Sequence, residues 1–269
     1  MSNRYESETL RSFPQGARST GQLSGVEAEM YLSLWRSVFQ GKLRPGIKLR
    51  EDTIGETFGV SRTLVRKVLI VLEQEGIVSL PANHGAFVAT PTPKDAWDVI
   101  EALRMTSIHI ITRLGASDFT IDKANHQRIQ QHIELQKKAE AAQDFLLARE
   151  LAREFFILLV FIYGNQLLTS QFVNLMARMS IAITVYSHAG QILPSRVSFQ
   201  ERIYANICEH NVNELEKMID QYFTSIVKSL NFEQGEDNID LKAILLEATD
   251  KAPDHKGGTR RPRTKATKD

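Results

Sequence analysis

Arg62 and Arg66 stand four residues apart in the run Ser61-Arg62-Thr63-Leu64-Val65-Arg66-Lys67. On a helix, residues at i and i+4 share a face. Two guanidinium groups then lie along one edge, with the hydroxyls of Ser61 and Thr63 and the ammonium of Lys67 beside them. A guanidinium can give two parallel hydrogen bonds to O6 and N7 of guanine, while lysines and hydroxyls suit phosphate oxygens. These groups can therefore read DNA. The same residues also describe a solvated basic helix face, and the segment alone leaves both readings open.

Other chemistries find little support. Cys208 is the one cysteine, which excludes an internal disulfide and a Cys/His zinc cluster. His126, His132, His188 and His210 show no repeated ligand spacing. A glycine-rich phosphate loop, a nucleophile elbow and a paired His/Glu metal motif are all missing, so the chain does not read as an enzyme. The formal net charge of +1 means that any nucleic-acid surface must be a local patch. With 42% hydrophobic residues in 269, the chain can build more than one core. The longest apolar run, Phe155 to Tyr163, is too short to span a bilayer. Residues 1–21 lack an apolar stretch of signal-peptide length, and the expectation is a cytoplasmic protein without membrane contact.

Local signals place the basic run on a particular scaffold. Tyr31, Leu34, Trp35 and Val38 recur at helical spacing, and Gly41 and Pro45-Gly46 turn the chain after them. A short helix is expected from Glu51 to Phe58, broken by Gly59, with Gly55 inside it allowing close helix packing. A second starts behind Ser61, an N-cap residue, and ends near Glu75 before Gly76. Its apolar stripe, Val65, Val68, Leu69 and Leu72, should face a core. Ile77–Leu80 and Ala86–Ala89 read as a hairpin around Pro81 to Gly85. Three helices and a β-hairpin wing make a winged helix-turn-helix, in which the N-terminal residues of the recognition helix reach the major groove. Pro91-Thr92-Pro93 marks a boundary, with Thr92 a cap and Pro93 at a first helical position. Helices are then expected near 93–114, 121–142, 145–163, 166–187, 196–210 and 213–231, an all-α antiparallel bundle. The domain scheme is an arm at 1–24, the winged helix at 25–90, the bundle at 91–232 and a basic tail at 233–269. That tail is expected to be mostly disordered with one short amphipathic helix near 241–248, and the charges of Arg260, Arg261, Arg263, Lys265 and Lys268 could add phosphate affinity or merely solubility. The fold class is mainly α.

Four stretches carry a resemblance: Gly41-Lys42-Leu43-Arg44-Pro45-Gly46, Gly59-Val60-Ser61-Arg62-Thr63, Leu72-Glu73-Gln74-Glu75-Gly76-Ile77-Val78 and Asn83-His84-Gly85-Ala86-Phe87-Val88. In this order and spacing they resemble the GntR family of bacterial transcription regulators. The resemblance implies major-groove contacts from Arg62, Thr63 and Arg66. It also implies a wing, Asn83 to Gly85, that approaches the minor groove, where His84 either reaches DNA or is simply exposed. Residues 93 to 231 are similar to the FadR-type (FCD) helical domain of that family, on Leu103-Arg104, Phe155, Gly164-Asn165, Ile203, Ile207 and Met218.

That second resemblance implies a homodimer on a pseudo-palindromic operator, controlled by a small-molecule effector, commonly as a repressor. Many relatives hold a divalent metal there through one Asp and three His. Counted from Gly164-Asn165 and from the last two helices, those positions fall on Ala152, Phe156, Gln200 and Tyr222. Ala and Phe cannot coordinate, Gln is poor and neutral Tyr rare, so no metal is expected. The expected pocket instead has Phe156, Gln200 and Tyr222 facing one another around an apolar or aromatic acid, its anionic group held by Arg104 or Arg178. Arg104 could equally pair with Glu101, and the domain could have lost sensing and serve only dimerisation.

Overall fold

The computed structural model describes residues 23, 25–187 and 196–232. The arm at 1–24 apart from Leu23, His188, and the tail at 233–269 with its expected helix and basic residues lie outside the described residues.

The head begins with α1 (Val26–Phe39), whose Met30, Tyr31, Leu34, Trp35, Val38 and Phe39 are all buried. Trp35 stacks on Phe39 at 5.0 Å. The hydroxyl of Tyr31 donates to buried Glu75 at 2.6 Å, which ties α1 to the end of the recognition helix. After β1 (Lys48–Leu49) come α2 (Glu51–Phe58) and α3 (Arg62–Gln74). Gly59 stops α2 in the left-handed region at φ 65°, which a residue with a side chain adopts at a cost. Ser61 opens α3 by accepting from the Leu64 amide at 3.4 Å. The stripe of Val65, Val68, Leu69 and Leu72 is fully buried, as its spacing predicts.

β2 (Val78–Ser79) and β3 (Ala86–Val88) pair antiparallel as the expected hairpin. The sheet holds one strand more than expected. β1 pairs with β3, Lys48 opposite Phe87 and Leu49 opposite Ala86, and the order is β1-β3-β2. A strand of two residues is too short to show a period of two, so it is invisible in the sequence.

Gly55 is where α2 meets the turn into α3. A Cβ there would lie 2.9 Å from the carbonyl oxygen of Val60, a backbone atom that cannot swing aside. Alanine would gain about 1 kcal/mol in helix propensity, but overpacking against backbone costs about 1–3 kcal/mol. Gly55→Ala is therefore expected to lower the urea midpoint of unfolding. An unchanged or higher midpoint would mean that the two segments part freely.

The bundle starts with a capping box. Thr92 accepts from the Asp95 amide, and Asp95 accepts from the Thr92 amide and hydroxyl, with Pro93 at the first helical position. Those hydrogen bonds hold the Asp95 carboxyl below the usual aspartate range. The helices are α4 (Pro93–Leu114), α5 (Lys123–Ala141), α6 (Phe145–Tyr163), α7 (Gln166–Tyr186), α8 (Val197–Cys208) and α9 (Val212–Ser229). Every boundary lies within two residues of its expected place, because most ends carry local signals such as the Asp122, Asp144 and Asn165 caps. α4 packs against α6, α7 and α9, and α5 against α6. α1 lies on α7, so head and bundle share one apolar core. Among the described residues no helix is long and apolar enough to cross a membrane.

His132 is buried in this bundle and its Nε2 donates to the Leu151 carbonyl at 2.8 Å. Burial pushes its pKa below the usual 6.5. The unfolded chain then takes up the proton more readily than the folded one. The stability it contributes is complete above about pH 6.5 and falls below it, by at most about 1.4 kcal/mol per pH unit. Urea unfolding at about pH 7.5 and about pH 5 should show a larger loss for the wild type than for His132→Gln. Equal losses would place the proton uptake elsewhere.

Candidate nucleic-acid interface

The start of α3 presents its polar groups to solvent. Ser61, Arg62, Thr63, Arg66 and Lys67 are all exposed, opposite the buried stripe. Arg62, Thr63, Arg66 and Lys67 border a groove of about 540 Å³ together with Glu51, Ile70, Val71 and Gln74. The side chains of Arg62 and Arg66 are 70% and 65% exposed. Both are aimed by acids from the first turn of α2, Asp52 hydrogen-bonding to Arg62 Nε and Glu51 lying 3.6 Å from Arg66. The Asp52 hydrogen bond raises the Arg62 pKa further, so this group stays charged. Glu51 and Asp52 were not among the expected site residues. They lie ten or more residues before their partners, and no local spacing announces such a pair.

Lys67 is placed differently from its expected phosphate role. Its ammonium sits 2.8 and 2.9 Å from the carboxylate of buried Glu27. It ties the start of α1 to the recognition helix, and a phosphate would have to compete with that carboxylate.

At the wing tip Asn83, His84 and Gly85 are exposed. Asn83 and Gly85 have φ of 62° and 88°, a left-handed turn that accounts for Asn and Gly at these two positions. His84 Nδ1 lies 2.7 Å from the Ala82 carbonyl and donates to it, which orients the ring. Lys48 on β1 lies over the Phe87 ring at 5.6 Å and borders Gly85, adding a cation beside the wing. Lys48 went unmarked in the sequence because β1, a strand of two residues, carries no periodic signal.

In the bundle, the positions counted as ligand sites do come together in part. Phe156 stacks on Tyr222 at 5.1 Å, and Tyr222 on Phe199 at 5.1 Å. Burial pushes the Tyr222 hydroxyl up to about 12. Ala152 and Gln200 are buried, and neither amide atom of Gln200 has a partner. No group of three or more His, Cys, Asp or Glu that could hold a metal occurs among the described residues. Of the stacked rings only Tyr222 carries a donor atom, and burial keeps its hydroxyl neutral.

The two arginines expected to serve this pocket stand elsewhere. Arg104 is exposed and paired with Asp220 of α9 rather than with Glu101. Arg178 lies at the junction of head and bundle, its Nε 3.1 Å from where a Gly76 Cβ would be. The cation that faces Tyr222 is Arg153, which was not expected. It donates to the Phe39 carbonyl at 2.9 Å and lies over the Phe39 ring at 4.8 Å. Burial, helped by repulsion from Arg149, lowers its pKa to about 10.

An exposed basic edge on the second helix of a helix-turn-helix, flanked by a hairpin wing, is the architecture of a winged helix. Residues 27–88 match the family described as bacterial regulatory proteins, gntR family. The N-terminal winged helix is thus similar to the DNA-binding domain of that family.

Among curated proteins, the chain is 26% identical over 101 residues to the uncharacterized HTH-type transcriptional regulator YdhC of Bacillus subtilis (strain 168). It is 39% identical over 83 residues to an uncharacterized HTH-type transcriptional regulator in an unstable DNA locus of Streptomyces ambofaciens. These matches take in 38% and 30% of this chain, and they span only 42% and 35% of the relatives' own lengths. Both relatives are named as regulators, neither as an enzyme.

Solved structures extend the likeness to the bundle. A putative transcriptional regulator GntR from Rhodococcus sp. RHA1 has a TM-score of 0.66 at 18% identity, over 76% of this chain and 99% of that one. E. coli McbR/YncC has a TM-score of 0.65 at 14% identity, over 77% and 97%. At such identities the fold is what is shared.

Proposed function

We propose that this protein is a sequence-specific DNA-binding transcription regulator. It acts as a homodimer on a two-fold-symmetric operator, each winged helix reading one half-site. The observation that carries this is the pair of exposed guanidinium groups at the N-terminus of α3 in a GntR-like head. Selection of bound sequences from random DNA by the purified full chain tests it. Enrichment of a short symmetric site is the expected result. Failure to enrich any sequence, with a folded dimer, would overturn the reading.

The helical domain, read as an FCD-type sensor, binds a small apolar or aromatic acid without a metal. A ligand that favours one arrangement of the two heads shifts the population toward or away from the spacing that fits DNA. Release of DNA on ligand binding would make the protein a repressor. The unpartnered amide of buried Gln200 supports a ligand in the bundle, because such groups are costly to leave unsatisfied. The stacked Phe156, Tyr222 and Phe199 rings favour the other reading, a bundle that serves dimerisation only. A metabolite that raises the melting temperature separates the two.

A further inference from the structure

We propose that the groove between the winged helix and the bundle binds a small carboxylate with an apolar body, held by Arg178. This rests on the reading of the protein as a ligand sensor and moves the ligand out of the bundle core.

The groove is a cavity of about 520 Å³, a size that suits a small ligand. Gly76, Ser79 and Phe87 line it from the head, Asp95 and Val99 from α4, and Arg178 from α7. Arg178 is half-buried and, among the described residues, forms neither a hydrogen bond nor an ion pair. Half-buried Arg113 pairs with Asp118 and Arg153 donates to the Phe39 carbonyl, while Arg149 Nε, like Arg178, has no acceptor among the described residues. The one acid in the groove, Asp95, is held by the Thr92 amide and hydroxyl in the capping box. Arg178 contributes less than Thr92 does to keeping Asp95 ionised. A half-buried guanidinium with no acceptor on the protein has its donors open to a ligand. A carboxylate matches its planar fork with two charge-assisted hydrogen bonds. Among the described residues lining the groove Arg178 is the single cation, with aliphatic and aromatic walls around it, which fits a monoanion with a short chain or ring better than a phosphate dianion.

The position also explains how binding would be felt at DNA. Gly76 is the residue that ends the recognition helix, at φ 72°, and Arg178 packs directly against it. A cation near a helix C-terminus is favourable. A carboxylate that draws the guanidinium into the groove changes what the end of α3 rests on. It also bridges α7 to the head, so occupancy biases how the recognition helix is held.

The test is thermal unfolding of the full chain titrated with benzoate, hexanoate or inorganic phosphate. Benzoate or hexanoate should raise the midpoint saturably. Arg178→Met should weaken that effect by about tenfold or more, the loss of a charge-assisted pair. Ser79→Trp, at an exposed strand position that lines the groove, should weaken it as well, and Gln200→Leu should leave it unchanged. Midpoints without ligand and far-UV spectra establish that each variant is folded. Loss of the effect in Gln200→Leu, with Arg178→Met and Ser79→Trp responding like wild type, would place the ligand in the bundle. It would overturn the groove but leave the sensor reading intact. An equal response to phosphate would overturn the ligand class. No response to benzoate or hexanoate, with operator binding intact, would overturn the groove, while the sensor reading would stand or fall with the metabolite that raises the melting temperature.

Discussion

Arg62→Ala is expected to lose preference at one base position of each half-site while non-specific DNA binding survives. Arg62 is the first residue of α3, the helix start is fixed by Ser61, and the side chain is open to solvent. The Asp52 hydrogen bond leaves the far end of the guanidinium free to meet a base edge. A bidentate contact to guanine is worth about tenfold to hundredfold in discrimination. Binding of the wild type and Arg62→Ala to the selected operator and to its single-base variants measures it. Arg62→Lys sharpens the test, because lysine keeps the charge but not the fork. It should lose the preference while the salt dependence of binding stays that of the wild type. A loss uniform over all sequences, with the salt slope lowered by about one, would place Arg62 on a phosphate. Unchanged binding would remove Arg62 from the interface.

This prediction could be framed from the sequence because the features behind it are local. Ser61 as a cap, Gly59 and Gly76 as stops, and the Thr92-Pro93-Asp95 start of α4 each act within one helical turn. The stripe of Val65, Val68, Leu69 and Leu72 is a periodic signal along one segment, and the head assembles around it. What the sequence hid was set by tertiary contacts. Lys67 looked like a phosphate ligand because its partner, Glu27, lies 40 residues away. Arg104 could have paired with Glu101 one turn back, yet it meets Asp220 from α9, 116 residues on. Arg178 could be counted onto α7, but its place against Gly76 follows from how the head sits on the bundle. Counting from Gly164-Asn165 and from the last two helices did bring Phe156 to Tyr222, because each helix keeps a regular phase along its length. The same count gave no hint of Arg153, three residues before Phe156.

The largest effect on stability is expected from Phe156→Ala. Phe156 is 3% exposed, with Tyr222 at 5.1 Å, Phe155 at 6.2 Å and Phe223 at 6.4 Å. Truncating a buried phenylalanine costs about 3–5 kcal/mol, lost burial and cavity together. Lost ring pairs account for about 0.5–1.5 kcal/mol each where they are well formed. Against a total stability of about 5–15 kcal/mol, that is a large share. Head and bundle belong to one contiguous apolar core, and Arg153, one turn before Phe156, donates to the last residue of α1. The loss should therefore appear in a single unfolding transition that carries the head with it, followed in urea by fluorescence and by far-UV dichroism together. Two separated transitions, with only the second shifted, would mean that the bundle unfolds without the head. A cost below about 1 kcal/mol would mean that the Phe156 ring is not truly packed. It would then behave as a movable wall, which a ligand pocket in the bundle would need and a groove on Arg178 would not.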